Sequence, residues 1–125
     1  MNAEELKKRT KKFALRILKL STALPNTAEG RTVKNQLIRS GTSVGANYRS
    51  ACKGRSKAEF IAKLGIVEEE ADESAFWLEL IIEGGLLKKE AVQPLLCEAN
   101  ELTAIIAASR KTAARHGSPR KNTHA

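Results

Sequence analysis

The sequence is short of nearly everything that chemistry at a site requires. Its two histidines, His116 and His124, stand at or beyond the end of the last helical pattern. No Glu-x-x-His pair therefore exists of the kind that builds a carboxylate-bridged metal centre inside a helical bundle. The acidic run Glu68, Glu69, Glu70, Asp72 and Glu73 has no histidine near it in sequence, and neither a metal nor another cofactor is expected. Cys52 and Cys97 lie 45 positions apart without a CxxC pair, so they read as reduced, partly buried small residues. Three Phe, one Tyr and one Trp force the core onto Leu, Ile, Val and Ala, which suits helices packed on helices.

Long apolar runs are missing too. No uncharged stretch exceeds nine residues, against the roughly 18 needed to cross a bilayer. The N-terminal lysines are accompanied by Glu4 and Glu5, with no apolar segment ending in small residues, so no signal peptide is expected. The 125 residues are expected to form one cytoplasmic domain.

What the chain does have is charge, unevenly placed. Residues 1–55 hold thirteen Lys or Arg against three Glu, a net of +10, whereas residues 56–87 hold two against eight, a net of −6. Residues 88–125 return to +4. Such segregation serves either a polyanion outside the protein or the acidic half of another copy.

The least charged stretch is Ser40 to Tyr48, rich in Gly, Ser, Thr and Ala. Composition alone favours a loop. Periodicity favours a helix, since Val33, Leu37, Gly41, Val44, Tyr48 and Cys52 recur at steps of three and four. Gly41 and Gly45 on consecutive turns would let a neighbouring helix approach closely. They are not a phosphate-binding loop, because no Lys-Ser or Lys-Thr pair follows and no strand precedes. A helix this free of charge is normally buried all round, which three partners in one chain cannot achieve, so oligomers are expected.

The same spacing predicts four helices, at about 3–24, 31–53, 57–83 and 89–115. On the first, Leu6, Phe13, Ile17, Leu20 and Leu24 form the core face, with Lys8, Lys11, Lys12 and Lys19 on its back and Arg9 and Arg16 flanking. Leu15 and Leu18 share the lysine side and suggest contact with another subunit. Pro25, Asn26 and Gly30 read as a turn. Ser56 to Glu59 reads as a capping box that starts the third helix. That helix carries a heptad seam through Phe60, Leu64, Val67, Ala71, Ser74, Leu78 and Ile81. A second stripe runs opposite through Ala62, Ile66, Glu69, Glu73, Phe76 or Trp77, and Leu80. If it meets a neighbouring subunit, Glu69 and Glu73 need cationic partners there. The fourth helix either kinks at Pro94 or begins near Gln93, and residues 117–125 read as a disordered basic tail. Arg110 and His116 are spaced like the Arg-x(4 to 6)-His signature of HEPN-class ribonucleases, although cations also gather at helix C-termini for electrostatic reasons.

Two segments carry a resemblance. QLIRSGTSVGANYRSA, followed by RSKAEFIAKLGIVEEEADESAFWLELI, resembles the four-helix bundle family first noted as products of intervening sequences within bacterial 23S ribosomal RNA genes, and the likeness runs from about Phe13 to Lys111. The resemblance implies an all-α, antiparallel up-and-down four-helix bundle assembled as a ring-shaped homopentamer. The family is similar to the accessory proteins of diversity-generating retroelements, basic rings that engage RNA and a reverse transcriptase. The expected function is therefore non-enzymatic binding of RNA or another nucleic acid, through phosphate contacts by Lys8, Lys11, Lys12, Lys19, Arg49, Lys53 and Arg55. The expected oligomer interface comprises Leu15, Leu18, Ile66, Glu69, Glu73, Phe76, Trp77 and Leu80. The alternatives are a protein-protein scaffold without nucleic acid and a HEPN-like ribonuclease.

Overall fold

The computed structural model describes residues 1–116, and there the chain is all-α: α1 (Ala3–Ser21), α2 (Ala28–Cys52), α3 (Lys57–Glu83) and α4 (Lys89–Arg115). The tail expected at 117–125, with His124, lies outside the described residues. Three of the four helices start where a side chain accepts from the first amides, and α4 starts after Lys88 without one. The Asn2 side chain accepts from the Glu5 N–H at 2.8 Å, and the Glu5 carboxylate accepts from the Asn2 N–H at 2.9 Å, a full capping box that opens α1. At α3 the Ser56 hydroxyl accepts from the Glu59 N–H at 3.1 Å. The Glu59 carboxylate passes over Ser56 and takes the Arg55 N–H at 2.6 Å, so the reciprocal half of the expected box falls one residue earlier.

Two boundaries differ from the periodicity. α1 ends at Ser21 rather than Leu24. Thr22, Ala23 and Leu24 continue only through three-residue turn bonds to Lys19, Leu20 and Ser21, because Pro25 disfavours a helical conformation at the residue before it. Leu24 is buried all the same. α2 begins at Ala28 rather than Arg31, with the Thr27 hydroxyl accepting from the Gly30 N–H at 3.0 Å. Gly30 belongs to the helix, and a Cβ there would stand 1.9 Å from the Pro25 carbonyl oxygen, which is why a glycine that looks like a breaker sits in a first turn. α4 runs continuously from Lys89 through Pro94. Pro94 and Glu90 are both exposed, so water can satisfy the Glu90 carbonyl that the proline leaves without its helical donor. Between α3 and α4, Gly85 takes φ 68, a left-handed turn conformation that favours glycine.

The core is the set of faces that the spacing places together. Phe13 and Ile17 of α1, Leu37 and Val44 of α2, Leu64 and Leu78 of α3, and Leu102 and Ile106 of α4 are fully buried. α3 packs extensively on α4 and α2, and α2 packs on α1, while α1 meets α4 along a much shorter seam. At the α1–α2 crossing a Cβ on Gly41 would come within 2.7 Å of Ile17 Cγ1, and one on Gly45 within 3.3 Å of the Thr10 carbonyl oxygen. Gly45 is there because the two backbones nearly touch, and Gly41 because the Ile17 side chain fills the place of a Cβ.

One polar pair is sealed inside. Ser40 and Ser74 are fully buried, with their Oγ atoms 3.0 Å apart and Ser74 Oγ 2.9 Å from the Glu70 carbonyl oxygen. Removing one hydroxyl deprives the other of a partner, whereas removing both leaves less to satisfy. Ser74→Ala is expected to lower stability by about 1–2 kcal/mol, and the S40A/S74A double variant by less than the sum of its singles. Urea unfolding of the four proteins measures this; strict additivity would mean that the hydroxyls are independent.

Candidate nucleic-acid interface

The decisive question about the segregated charge is which cations are already engaged. Three arginines are engaged with acids on other helices. Arg9 of α1 donates to Glu98 at 2.7 and 2.8 Å and to Glu101 at 2.6 Å, bridging to α4. These carboxylates, Glu98 foremost, raise the Arg9 pKa, so its charge is permanent. Arg39 of α2 reaches Glu70 at 3.5 Å and also bonds Glu73. Arg110 of α4 donates to Glu68 at 2.9 Å. Three of the five acids in the run from Glu68 to Glu73 are thus met within the chain.

Glu73 shows what this does locally. The Arg39 guanidinium holds its carboxyl below the usual carboxylate range, against partial burial and with help from Trp77, whose Nε1–H donates to Glu73 at 3.2 Å. The cation sought across a subunit boundary is therefore supplied by the same chain. Glu69, in contrast, is exposed. Trp77 is half-buried and packs against the core, with the Phe76 ring edge-on at 5.0 Å.

The lysines follow a different pattern. Between α1 and α2 lies a groove of about 550 Å³, lined on one side by Lys7, Lys8, Lys11 and Ala14 and on the other by Thr42, Gly45, Ala46, Arg49 and Lys53, with Glu4 its sole acid. Lys7 pairs with Glu4 at 3.1 Å. Among the described residues no acid pairs with Lys8, Lys11, Arg49 or Lys53. The groove exists because the glycine stripe of α2 brings α1 close while Ala14 and Ala46 leave nothing above the crossing to fill it. The middle of α2 is accordingly not buried all round: Ala46 is exposed and Thr42 and Gly45 half-exposed. Burial pushes the Tyr48 hydroxyl pKa up, with Cys52 one turn away adding to the shift, so Tyr48 contributes a neutral wall to the core.

Of the seven expected phosphate contacts, the groove gathers Lys8, Lys11, Arg49 and Lys53. Lys19 stands instead beside a smaller groove of about 260 Å³ between α1 and α4, with Arg16, Leu20, Ala91 and Leu95. Lys12 and Arg55 are exposed outside both. Lys7 was not among the expected contacts, although its one-turn spacing from Lys11 is a signal for it. The exposed large apolar side chains include Leu15 (58%) and Leu18 on α1, and Ile66, Phe76 (50%) and Leu80 on α3. These are two separate strips on two helices. Of the two residues with ribonuclease-like spacing, Arg110 donates to Glu68 and His116 is the exposed C-cap of α4. Among the described residues no group of three or more His, Cys, Asp or Glu side chains is placed to hold a metal ion. No described helix is long and apolar enough to cross a membrane.

Comparisons agree with this architecture. The chain is similar to a crystallographically determined Bacteroides thetaiotaomicron protein of unknown function from the S23 ribosomal protein family. The two are 35% identical, with 84% of this chain and 97% of that one covered, at a TM-score of 0.79. No curated protein matches it. The model of the 23S rRNA-intervening sequence protein family matches residues 4–108, a span that begins in the first turn of α1 and ends within α4, and the chain belongs to that family.

Proposed function

We propose that this protein is a non-enzymatic, self-associating four-helix bundle that binds RNA or another nucleic acid through phosphate contacts in the α1–α2 groove. The observation that carries this reading is the division of the cations. Arg9, Arg39 and Arg110 are consumed by acids of the same chain, while Lys8, Lys11, Arg49 and Lys53 converge on one concave surface without an acid of their own. Unpaired cations converging on one groove raise its potential and attract polyanions. Membership of an rRNA-related family points the same way. A titration of the protein with single-stranded RNA should show affinity falling about fiftyfold when salt rises fourfold, as four phosphate contacts require. Absence of binding at low salt would leave the groove without this role.

Assembly is the second part of the proposal. Consecutive helices pack on each other through short connections, which supports an antiparallel up-and-down arrangement. Leu15 and Leu18 on α1, and Ile66, Phe76 and Leu80 on α3, are too many exposed large side chains on too few turns for a solitary bundle. Because the strips differ, copies that join one to the other repeat head to tail, which yields a ring where the rotation closes; a homopentamer is the ring that the resemblance implies, with a reverse transcriptase or another protein as further partner and the cytoplasm as its location. Glu69 lies exposed on the α3 strip, and Glu73 and Trp77 lie beside it. The F76S/I66S variant should sediment as a smaller species than the parent, and an unchanged profile would take α3 out of the interface. The scaffold reading rests on the same α3 strip. It prevails if the assembly forms and RNA titration shows no binding.

A further inference from the structure

Resting on the reading of the α1–α2 groove as a nucleic-acid site, we infer that its occupant is a single unpaired phosphodiester strand lying along the groove with its bases turned outward, and not a duplex. The form of the groove carries the inference: cations on two facing helices above a floor without large side chains. Packed helices ordinarily stand about 8–10 Å apart, axis to axis. Here the backbones come close at Gly45, with the Thr10 carbonyl oxygen 3.3 Å from where a Gly45 Cβ would be, while at Gly41 the Ile17 side chain takes the room of a Cβ. A trench over so close a crossing, with a cationic row on each wall, admits one sugar-phosphate backbone, whereas a duplex could only rest across its rim.

The cations are arranged for a strand inside the trench. Lys8 and Lys11 stand on the α1 side, and Arg49 and Lys53 on the α2 side. Arg49 and Lys53 are one helical turn apart, a rise of about 6 Å, comparable to the step between successive phosphates of an extended strand. Opposed rows of this kind grip one backbone from both flanks. The floor has no free side-chain donor and no aromatic ring with which to read a base. Ala14, Gly45 and Ala46 carry no polar side chain, the Thr42 hydroxyl already donates to the Ile38 carbonyl oxygen at 2.7 Å, and no aromatic ring lines the groove for stacking.

Simple electrostatics gives the opposite preference, since a duplex carries the higher charge density and the steeper salt dependence. A preference for single strands is therefore diagnostic of the trench. The test is fluorescence anisotropy with a uridine oligomer, an adenosine oligomer of equal length and the duplex of the two, on the full chain and on Ala46→Leu. Ala46 is exposed, so leucine there fills the trench without entering the core or removing a cation. The single strands should bind alike and about tenfold more tightly than the duplex, and A46L should weaken them about tenfold while leaving duplex binding within about twofold. Equal or tighter duplex binding, or an A46L protein that holds single strands as well as the parent does, would overturn the inference with the nucleic-acid reading intact. No binding of any of the three at low salt would remove that reading itself.

Discussion

Reversing three groove charges together, as Lys8→Glu, Lys11→Glu and Arg49→Glu, should weaken RNA binding about a thousandfold at low salt and cut the steepness of its salt dependence by about 0.7 per lost contact. The control changes net charge by the same amount elsewhere: Lys12→Glu, Lys19→Glu and Arg55→Glu, all exposed and all outside the groove. If the groove matters, that second triple loses far less. If only the overall charge of +8 matters, the two triples fall together and the localised site is disproved. All six side chains are at least partly free of packing, so thermal unfolding should move little in either protein, and altered binding can be read as altered contact.

Replacing Gly41 by Leu is expected to destabilise the fold by about 3 kcal/mol or more, beyond the usual range for overpacking because the clash is with a buried branched side chain. Even a lone Cβ would meet Ile17 Cγ1 at 2.7 Å and Cγ2 at 2.9 Å, and Ile17 is fully enclosed. The roughly 1 kcal/mol that leucine gains over glycine in helix propensity offsets only part of this. The melting temperature should drop by roughly 10 °C. Shortening the opposing residue gives room, so I17A/G41L should lose less than the two single changes added together. A G41L protein that melts with the parent would mean that α1 and α2 do not approach as closely as Gly41 requires.

These two experiments fall on opposite sides of what the sequence could convey. The buried faces were legible because steps of three and four place Leu6, Phe13 and Ile17, or Leu64, Val67 and Ala71, on one side of a helix whatever it packs against. The close crossing at Gly41 was legible for the same reason. The groove was legible only in part. A helical projection gives a direction from one axis and says nothing of where the neighbouring axis stands, so Lys8, Lys11, Lys12 and Lys19 looked equivalent, although only the first two line the cleft beside α2. The cross-helix pairs Arg9–Glu98, Arg39–Glu73 and Arg110–Glu68 had no local signal at all, since their partners lie 34 or more positions apart in sequence. Thr27 is hidden as a helix start because Pro25, Asn26 and Gly30 around it carry louder turn chemistry.

The short seam between α1 and α4 gives the first helix an asymmetric hold. It is held far more extensively by α2 than by α4, to which the Arg9 pairs with Glu98 and Glu101 tie it, so in any partial opening it would swing away like a door hung on one jamb. A strand laid in the cleft touches both the door and that jamb. Guest and hinge would then be linked: filling the cleft would slow amide exchange in residues 3–21, and loosening them would release whatever the cleft held.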